Sequence, residues 1–389
     1  MKITAIETIP VRVPIRANLA IKSGRGGSHV LSPFLLVKVH TDAGLVGLGE
    51  ASCTPRWSGE DQFTAQHFIS QYFAPVLIGH DIDNDIGHDI GHDPTKIEDC
   101  FRLFATTVAG NPFTKSAVEM ALWDLAGKAA GKPVYELLGG KVRDMVEIKW
   151  SVSGRPPEQA AEIAHWAIAQ GFKSMKVKVG IDPEGDLARL KAVRVAVGPQ
   201  AHLGVDANGG WSTPDDAVKA IHRLSEHNLS FVEQPVPAGD IAGMAQVRRQ
   251  VSLPLIADES CYTLQDAINL AHAQAADVFS IYVGKAGGIG PARRIAQFAE
   301  SVGLKCTVGS NLEMGIGSAA MIHLALACRG IAAEAFPCDI IGPRFYEDDL
   351  LTEPLQLSGG FARIGDKPGL GVELDEAKVE KYRVPSPAD

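Results

Sequence analysis

A parallel α/β fold, a (β/α) barrel of TIM type, modified and with seven to eight strands, capped by an α+β domain drawn from both chain ends, is what the sequence predicts. Three observations carry this. Lys178, Asp206, Glu233, Asp258 and Lys285 follow one another at steps of 28, 27, 25 and 27 residues, about the length of a strand, a return helix and two loops. Each of the first four closes a short apolar, partly β-branched run, as strands buried on both faces do. Helical periodicity fills the intervals, and so many strand–helix units favour closure into a barrel over a doubly wound sheet. All five side chains are therefore expected at one mouth.

From the N-terminus, 2–10, 35–40 and 44–49 read as an antiparallel meander, with Thr41-Asp-Ala-Gly44 as its hairpin turn. Helices are predicted over 60–77, 95–107 and 111–138, the last with Ala117, Met120, Ala121, Leu125 and Ala129 on one side. Barrel strands follow at 147–151, 174–179, 202–206, 229–233, 253–258, 278–283, 305–308 and 331–335. Between them 183–197, 215–227, 264–273 and 290–302 have helical spacing, and Thr213-Pro-Asp-Asp216 has the capping residue and early proline of a helix start. The tail over 357–374 returns to strand-like and turn-like text. The division expected is a cap at 1–140, a barrel at 141–350 and a segment at 351–389 returning to the cap.

A chain of 389 residues suits two domains better than one core. Its net charge of −9, with no basic stripe, argues against a nucleic-acid partner. No apolar run reaches membrane-spanning length, and the Met1-Lys-Ile-Thr4 start lacks the apolar core of a signal peptide, so a cytoplasmic enzyme with no membrane contact is expected. The cysteines are scattered with no Cys-x-x-Cys pair and read as reduced, buried thiols rather than disulfides or a zinc site. The tetrapeptide Ile-Gly-His-Asp recurs at 78–81, 86–89 and 90–93. His80, His88 and His92 with their Asp neighbours could bind a metal, but loop ligands without rigid support make poor sites, and a duplication lengthening a surface loop is the expectation.

Asp206, Glu233 and Asp258 supply hard oxygen ligands with no Cys or His among them. That set suits Mg2+, with Mn2+ the alternative, better than zinc. Lys178 closes the second barrel strand and Lys285 follows the sixth, so the two approach the centre from opposite sides. A nearby cation and a second ammonium both disfavour a protonated lysine, which suits it to general-base work. Lys176 shares a face with Lys178 by the period of two, and would position it or hold a substrate oxygen. Removing a proton beside a carboxylate creates a dianion, and a metal on the carboxylate oxygens offsets that charge. Enolate formation on a small-molecule carboxylate is thus the reaction class expected.

Lys176-Val-Lys178, Val205-Asp-Ala-Asn208, Val232-Glu-Gln-Pro235, Ala257-Asp-Glu-Ser260 and Lys285-Ala-Gly-Gly288, in order and in register, resemble the barrel motifs of the enolase superfamily. Within it they resemble the mandelate racemase/muconate lactonizing enzyme family, muconate lactonizing (muconate cycloisomerase) subgroup. Ser310-Asn-Leu-Glu-Met-Gly-Ile-Gly317 resembles the seventh-strand motif, and Ile341-Gly-Pro343 with Asp349-Leu-Leu-Thr-Glu-Pro354 resembles the C-terminal text, so the likeness spans essentially the whole chain. It implies that Asp206, Glu233 and Asp258 bind magnesium, that Lys178 and Lys285 are the acid/base pair, and that Lys176 supports them. It also implies a lid, for which the matching segments are 15–29 and 52–60; Gly24, Gly26 and Gly27 give the first its mobility. Barrels of this type often assemble, and a homo-oligomer is expected.

Other roles stay open. Asn208 either reaches the metal shell or caps its loop, and Glu259 either orients a lysine or forms a structural salt bridge. Glu313 meets substrate or caps a helix. Trp57 faces substrate from the lid or packs within its loop, and Arg56 clamps a carboxylate or is solvated. The first reading of the activity is muconate-type cycloisomerisation, in which one lysine must move a proton; the text around Trp57-Ser-Gly-Glu60 and Gly342-Pro343 points that way. The alternative is an epimerase of dipeptides or a racemase of N-acylamino acids, which needs both lysines. A hydroxy-acid dehydratase or an o-succinylbenzoate synthase would use the same groups. Ser310-Asn311 departs from the Gly-Thr-Met-type lead-in of muconate enzymes, and Cys338-Asp339-Ile340-Ile341 supplies one Asp where dipeptide epimerases carry Asp-x-Asp. A non-catalytic binder that has kept the barrel is the reading from another class, and the intact set of ligands and lysines argues against it.

Overall fold

The computed structural model describes residues 1–19, 30–78 and 95–385. Strands β1 (Ile3–Pro14), β2 (Leu31–Thr41) and β3 (Val46–Ala51) form an antiparallel sheet in that order. They run longer than sequence alternation suggests, since β1 and β2 hold their pairing from Ala5 opposite His40 to Pro14 opposite Leu31. Against this sheet lies the helix Pro112–Ala130, whose residues from Phe113 to Gly127 are all buried. The one-sided apolar face read from the sequence understates it, because the helix is packed by the sheet on one side and by the barrel on the other. Gly47 and Gly49 permit the close approach: a Cβ on Gly49 would stand 1.8 Å from the Ala117 carbonyl oxygen, and one on Gly47 2.1 Å from that of Ala121. The helix predicted to reach 138 is broken. Gly131, at φ 65°, ends it, and a short turn at Val134–Leu137 follows Pro133.

Barrel-side strands are β4 (Val146–Glu147), β5 (Trp150–Val152), β6 (Ser174–Lys178), β7 (His202–Asp206), β8 (Phe231–Glu233), β9 (Leu255–Ala257), β10 (Val278–Ile281) and β11 (Lys305–Val308). From β5 to β11 they make a parallel seven-stranded sheet in chain order. Four of the intervening helices start at Asp182, Thr213, Asp240 and Thr263, each accepting a backbone N–H three residues on with its side chain.

The eighth strand expected at 331–335 is not a regular strand. Ala335 and Phe336 turn back to donate to the Ala332 carbonyl, and Pro337 has no N–H for a ladder. The segment closes the barrel by isolated bonds instead. Ala332 N–H donates to Cys306 O at 2.9 Å and Asp339 N–H to Val308 O at 2.7 Å on one side, while Cys338 N–H donates to Glu147 O at 2.8 Å on the other. The first predicted strand is also divided, since β4 pairs with β13 (Phe361–Arg363), and β13 with β12 (Gln356–Ser358), in a small antiparallel sheet. The tail thus packs first on the start of the barrel. It then reaches the cap, where Leu370 N–H donates to Asp124 Oδ1 at 2.7 Å and the helix Glu376–Tyr382 lies against β1. Gly24, Gly26 and Gly27 of the first lid segment, and the histidines His80, His88 and His92, lie outside the described residues. Among the described residues no helix is long and apolar enough to cross a membrane.

Candidate active site

Parallel pairing in register sets Lys178 beside Asp206 and Asp206 beside Glu233, at the C-terminal ends of β6, β7 and β8. Asp258 stands just past β9, and Lys285 lies beyond β10 on a helical turn, Val283–Ala286. All five side chains converge as the spacing predicts. Lys178 Nζ donates to Asp206 Oδ2 at 2.6 Å and to Asn208 Oδ1 at 2.9 Å. Lys285 Nζ, on the opposite wall, donates to Asp258 Oδ1 at 2.6 Å and to the Asp258 and Ser280 carbonyls at 2.7 and 2.9 Å. Lys176 Nζ is shared among Glu233 (2.7 Å), Asp339 (3.0 Å) and Asp206 (3.4 Å).

The buried charges shift one another. Burial alone would raise the Asp206 carboxyl, but the Lys178 and Lys176 ammonium groups outweigh it and hold it down at about 2. Burial lifts Glu233 to about 8 against the pull of Lys176, aided by the charges of Asp206, Asp258 and Asp339. Lys176 itself loses by burial, yet the carboxylates of Asp339, Glu233, Asp206 and Asp258 keep its ammonium well above the usual lysine range.

Asp206, Glu233 and Asp258 are a hard-oxygen donor set, and Glu233 Oε2 is buried with no hydrogen-bond partner, an oxygen that a divalent cation would satisfy. In chemistry these residues fit magnesium. As placed, no three acids among the described residues surround one point closely enough to hold an ion, because each candidate ligand is drawn onto an ammonium instead.

Several supporting residues are not evident from sequence. Lys149, fully buried, shares Asp339 with Lys176 at 3.0 Å and donates to the Pro337 carbonyl at 2.5 Å. A lone lysine inside the apolar 147–151 run is the signal that could have found it. Gln234, in the left-handed region at φ 36°, accepts the N–H groups of Asp258 and Ser260 on its Oε1 and so fixes the next strand's acid. Tyr282 donates its hydroxyl to Asp258 Oδ2 at 2.6 Å, and burial pushes that phenol well above its usual range. Its ring stacks on Trp57 at 5.4 Å, Tyr262 also stacks on Trp57 at 6.0 Å, and Lys285 Nζ lies 4.2 Å from the Tyr282 ring centre.

Of the remaining predicted residues, Asn208 donates Nδ2 to Glu259 Oε1 at 3.0 Å, linking the loops after β7 and β9. Glu313 is buried in its own loop, accepting from Ser310 Oγ and the Asn311 N–H, with burial raising its carboxyl. Trp57 is brought to the Lys285 side of the site, its ring centre 6.0 Å from Nζ. Arg56 is exposed on the same short helix, Pro55–Ser58.

A capped parallel barrel with acids on successive strand ends between two lysines is the architecture of a barrel enzyme with acid–base groups at its mouth. Residues 158–378 match the enolase C-terminal domain-like family, and residues 5–139 match the mandelate racemase/muconate lactonizing enzyme N-terminal domain. The chain belongs to the mandelate racemase/muconate lactonizing enzyme family of the enolase superfamily. It is 33% identical to an N-succinyl-L-Arg/Lys racemase of Bacillus cereus over 99% of this chain and 98% of that one, and the crystal structure of that racemase superposes with a TM-score of 0.90. It is equally 33% identical to muconate cycloisomerase 1 of Rhodococcus opacus over 98% of each chain. The structure of a dipeptide epimerase from Enterococcus faecalis, complexed with Mg and L-Leu-L-Tyr, is 32% identical over 96% of this chain and 100% of that one, with a TM-score of 0.87. These relatives are isomerases, and the chain is an enzyme of that class.

Proposed function

We propose that this chain is a magnesium-dependent racemase of N-acylated α-amino acids, moving the α-proton between two lysines. The observation that carries the reading is the opposed pair, Lys178 on β6 and Lys285 beyond β10, each 2.6 Å from a carboxylate at the strand ends between them. Asp206, Glu233 and Asp258 would hold the magnesium, which when bound supplies positive charge for the substrate carboxylate as its α-proton leaves. Lys178 removes the proton from one face and Lys285 delivers one to the other; the reverse reaction exchanges their roles. A lysine already paired to an acid is fixed in place before substrate arrives. Lys176, with Lys149 behind it, neutralises the floor of the site.

Asp339 favours an N-acylated over a free amino group. It is the one acid of the 338–341 stretch, and its Oδ2 already accepts from the ammonium groups of Lys149 and Lys176 at 3.0 Å each, so its charge is balanced by two cations before any substrate ammonium arrives and only Oδ1 is unpartnered. A second reading, muconate-type cycloisomerisation, is favoured by the stacked Trp57 and Tyr282 rings, 15° from parallel, which suit a flat conjugated diacid. Proton NMR in deuterium oxide with magnesium separates the two. Loss of the α-proton signal and inversion of N-succinyl amino acids support the racemase. Turnover of muconate to its lactone, with no α-exchange in any N-acylamino acid, overturns it.

A further inference from the structure

Lys178 and Lys285 are held in different ways. Lys178 belongs to the barrel sheet, whereas Lys285 sits on a single helical turn outside it, followed by Gly287 and Gly288 at φ 94° and 145°, which have no side chains to brace it. Asp258 and Ser280 hold its Nζ, but the backbone of the turn is braced from the cap helix Pro112–Ala130. Phe113 fills the space beside Gly284, where an added Cβ would stand 2.6 Å from its ring. Ser116 Oγ donates to the Val283 carbonyl at 3.2 Å. Glu119 accepts the N–H groups of Ile289 and Gly290 at 2.8 Å each, and its carboxylate lies where a Gly288 side chain would project. Trp123 Nε1 donates to Glu119 Oε1 at 2.9 Å and fixes its rotamer. Phe113 meets Trp57 edge-on at 6.5 Å, so one helix touches both the aromatic wall and the lysine turn.

We infer that Glu119, assisted by Ser116, is a positioning residue for Lys285: the cap helix sets where one of the two bases stands and leaves the other to the barrel. The inference rests on the two-lysine reading. An error in the cap should therefore appear on one face of the substrate only.

The test uses the full-length protein with magnesium and the variants Glu119→Gln and Ser116→Ala. Competitive acetylation with acetic anhydride, read lysine by lysine by mass spectrometry, is independent of substrate. In Glu119→Gln, Lys285 should label at least about fivefold faster than in the parent protein while Lys178 stays within about twofold, as a freed buried turn opens locally. In deuterium oxide, α-proton exchange of N-succinyl-L-arginine and N-succinyl-D-arginine should then split: one enantiomer slows about tenfold and the other stays within about twofold. Unchanged Lys285 labelling, or equal slowing of both enantiomers, overturns the inference. A parent protein that exchanges neither enantiomer refutes the racemase reading, and the labelling then decides the positioning claim by itself. Should Glu119→Gln fail to fold, Ser116→Ala must give the same one-sided pattern in weaker form, and a two-sided or absent effect there counts against it.

Discussion

The Lys176→Met substitution keeps the side-chain length and removes a charge shared by three buried carboxylates. Nζ lies 2.7 Å from Glu233, 3.0 Å from Asp339 and 3.4 Å from Asp206, and none of the four side chains is more than 6% exposed. Asp206 keeps Lys178 and Asp339 keeps Lys149, but Glu233 has no other ammonium partner among the described residues. At about pH 9, above the value of about 8 to which burial lifts Glu233 and where its carboxylate is ionised, removing one partner of a buried pair costs about 3–5 kcal/mol, and burial this complete leaves little solvent screening to reduce it. That loss is expected in the metal-free protein. A divalent cation on Glu233 would restore part of the missing charge, so the loss should shrink in magnesium. Urea midpoints of both proteins at that pH, in chelator and in magnesium, read the two effects. A metal-free variant as stable as the parent refutes the claim that Lys176 neutralises Glu233. An equal loss in both conditions refutes a role for Glu233 in binding the ion.

Two buried acids outside the site predict a pH dependence. Burial lifts Glu50, which accepts from the Met314 and Gly317 N–H groups, to about 8, and lifts Glu119 to about 7. Carboxyls raised above the unfolded value of 4.5 contribute stability that is full below that pH and is lost as pH rises through 7 and 8. Urea midpoints should therefore fall between about pH 5 and about pH 8.5, and Glu50→Gln should remove a few kcal/mol of that fall; an unchanged slope contradicts the assignment. Gly49→Ala tests the seat of the cap helix, since its Cβ would stand 1.8 Å from a backbone oxygen and the helix or strand must retreat. A loss of about 3 kcal/mol or more is expected by urea unfolding, and one under about 0.5 kcal/mol would show that the contact is not tight.

The mouth of the barrel is legible in the sequence because four successive apolar runs each close on a charged residue, as with Asp206 and Glu233, which stand side by side in the sheet. A fixed period needs no tertiary information to be seen. The eighth strand is not legible, because the 331–335 run is apolar enough for a strand while the turn at Ala332 and Pro337 removes its ladder. Lys149 and Asp339 escape for another reason: their pairing joins the two ends of the barrel chain and follows no regular step. Tyr282 reads as one more strand residue until its hydroxyl is found on Asp258. The burial of the cap helix depends on Gly47 and Gly49 of a distant strand, and its own periodicity shows one face of a contact that has two.

Exchange of resolved enantiomers in deuterium oxide by single-lysine variants bears most directly on the two-base account. Lys178→Ala should abolish α-proton exchange of one enantiomer of an N-succinyl amino acid and retain it for the other. Lys285→Ala should show the opposite preference, and neither should interconvert the two. Exchange of both enantiomers by either variant, or full racemisation by Lys285→Ala, would contradict a proton passed between two lysines.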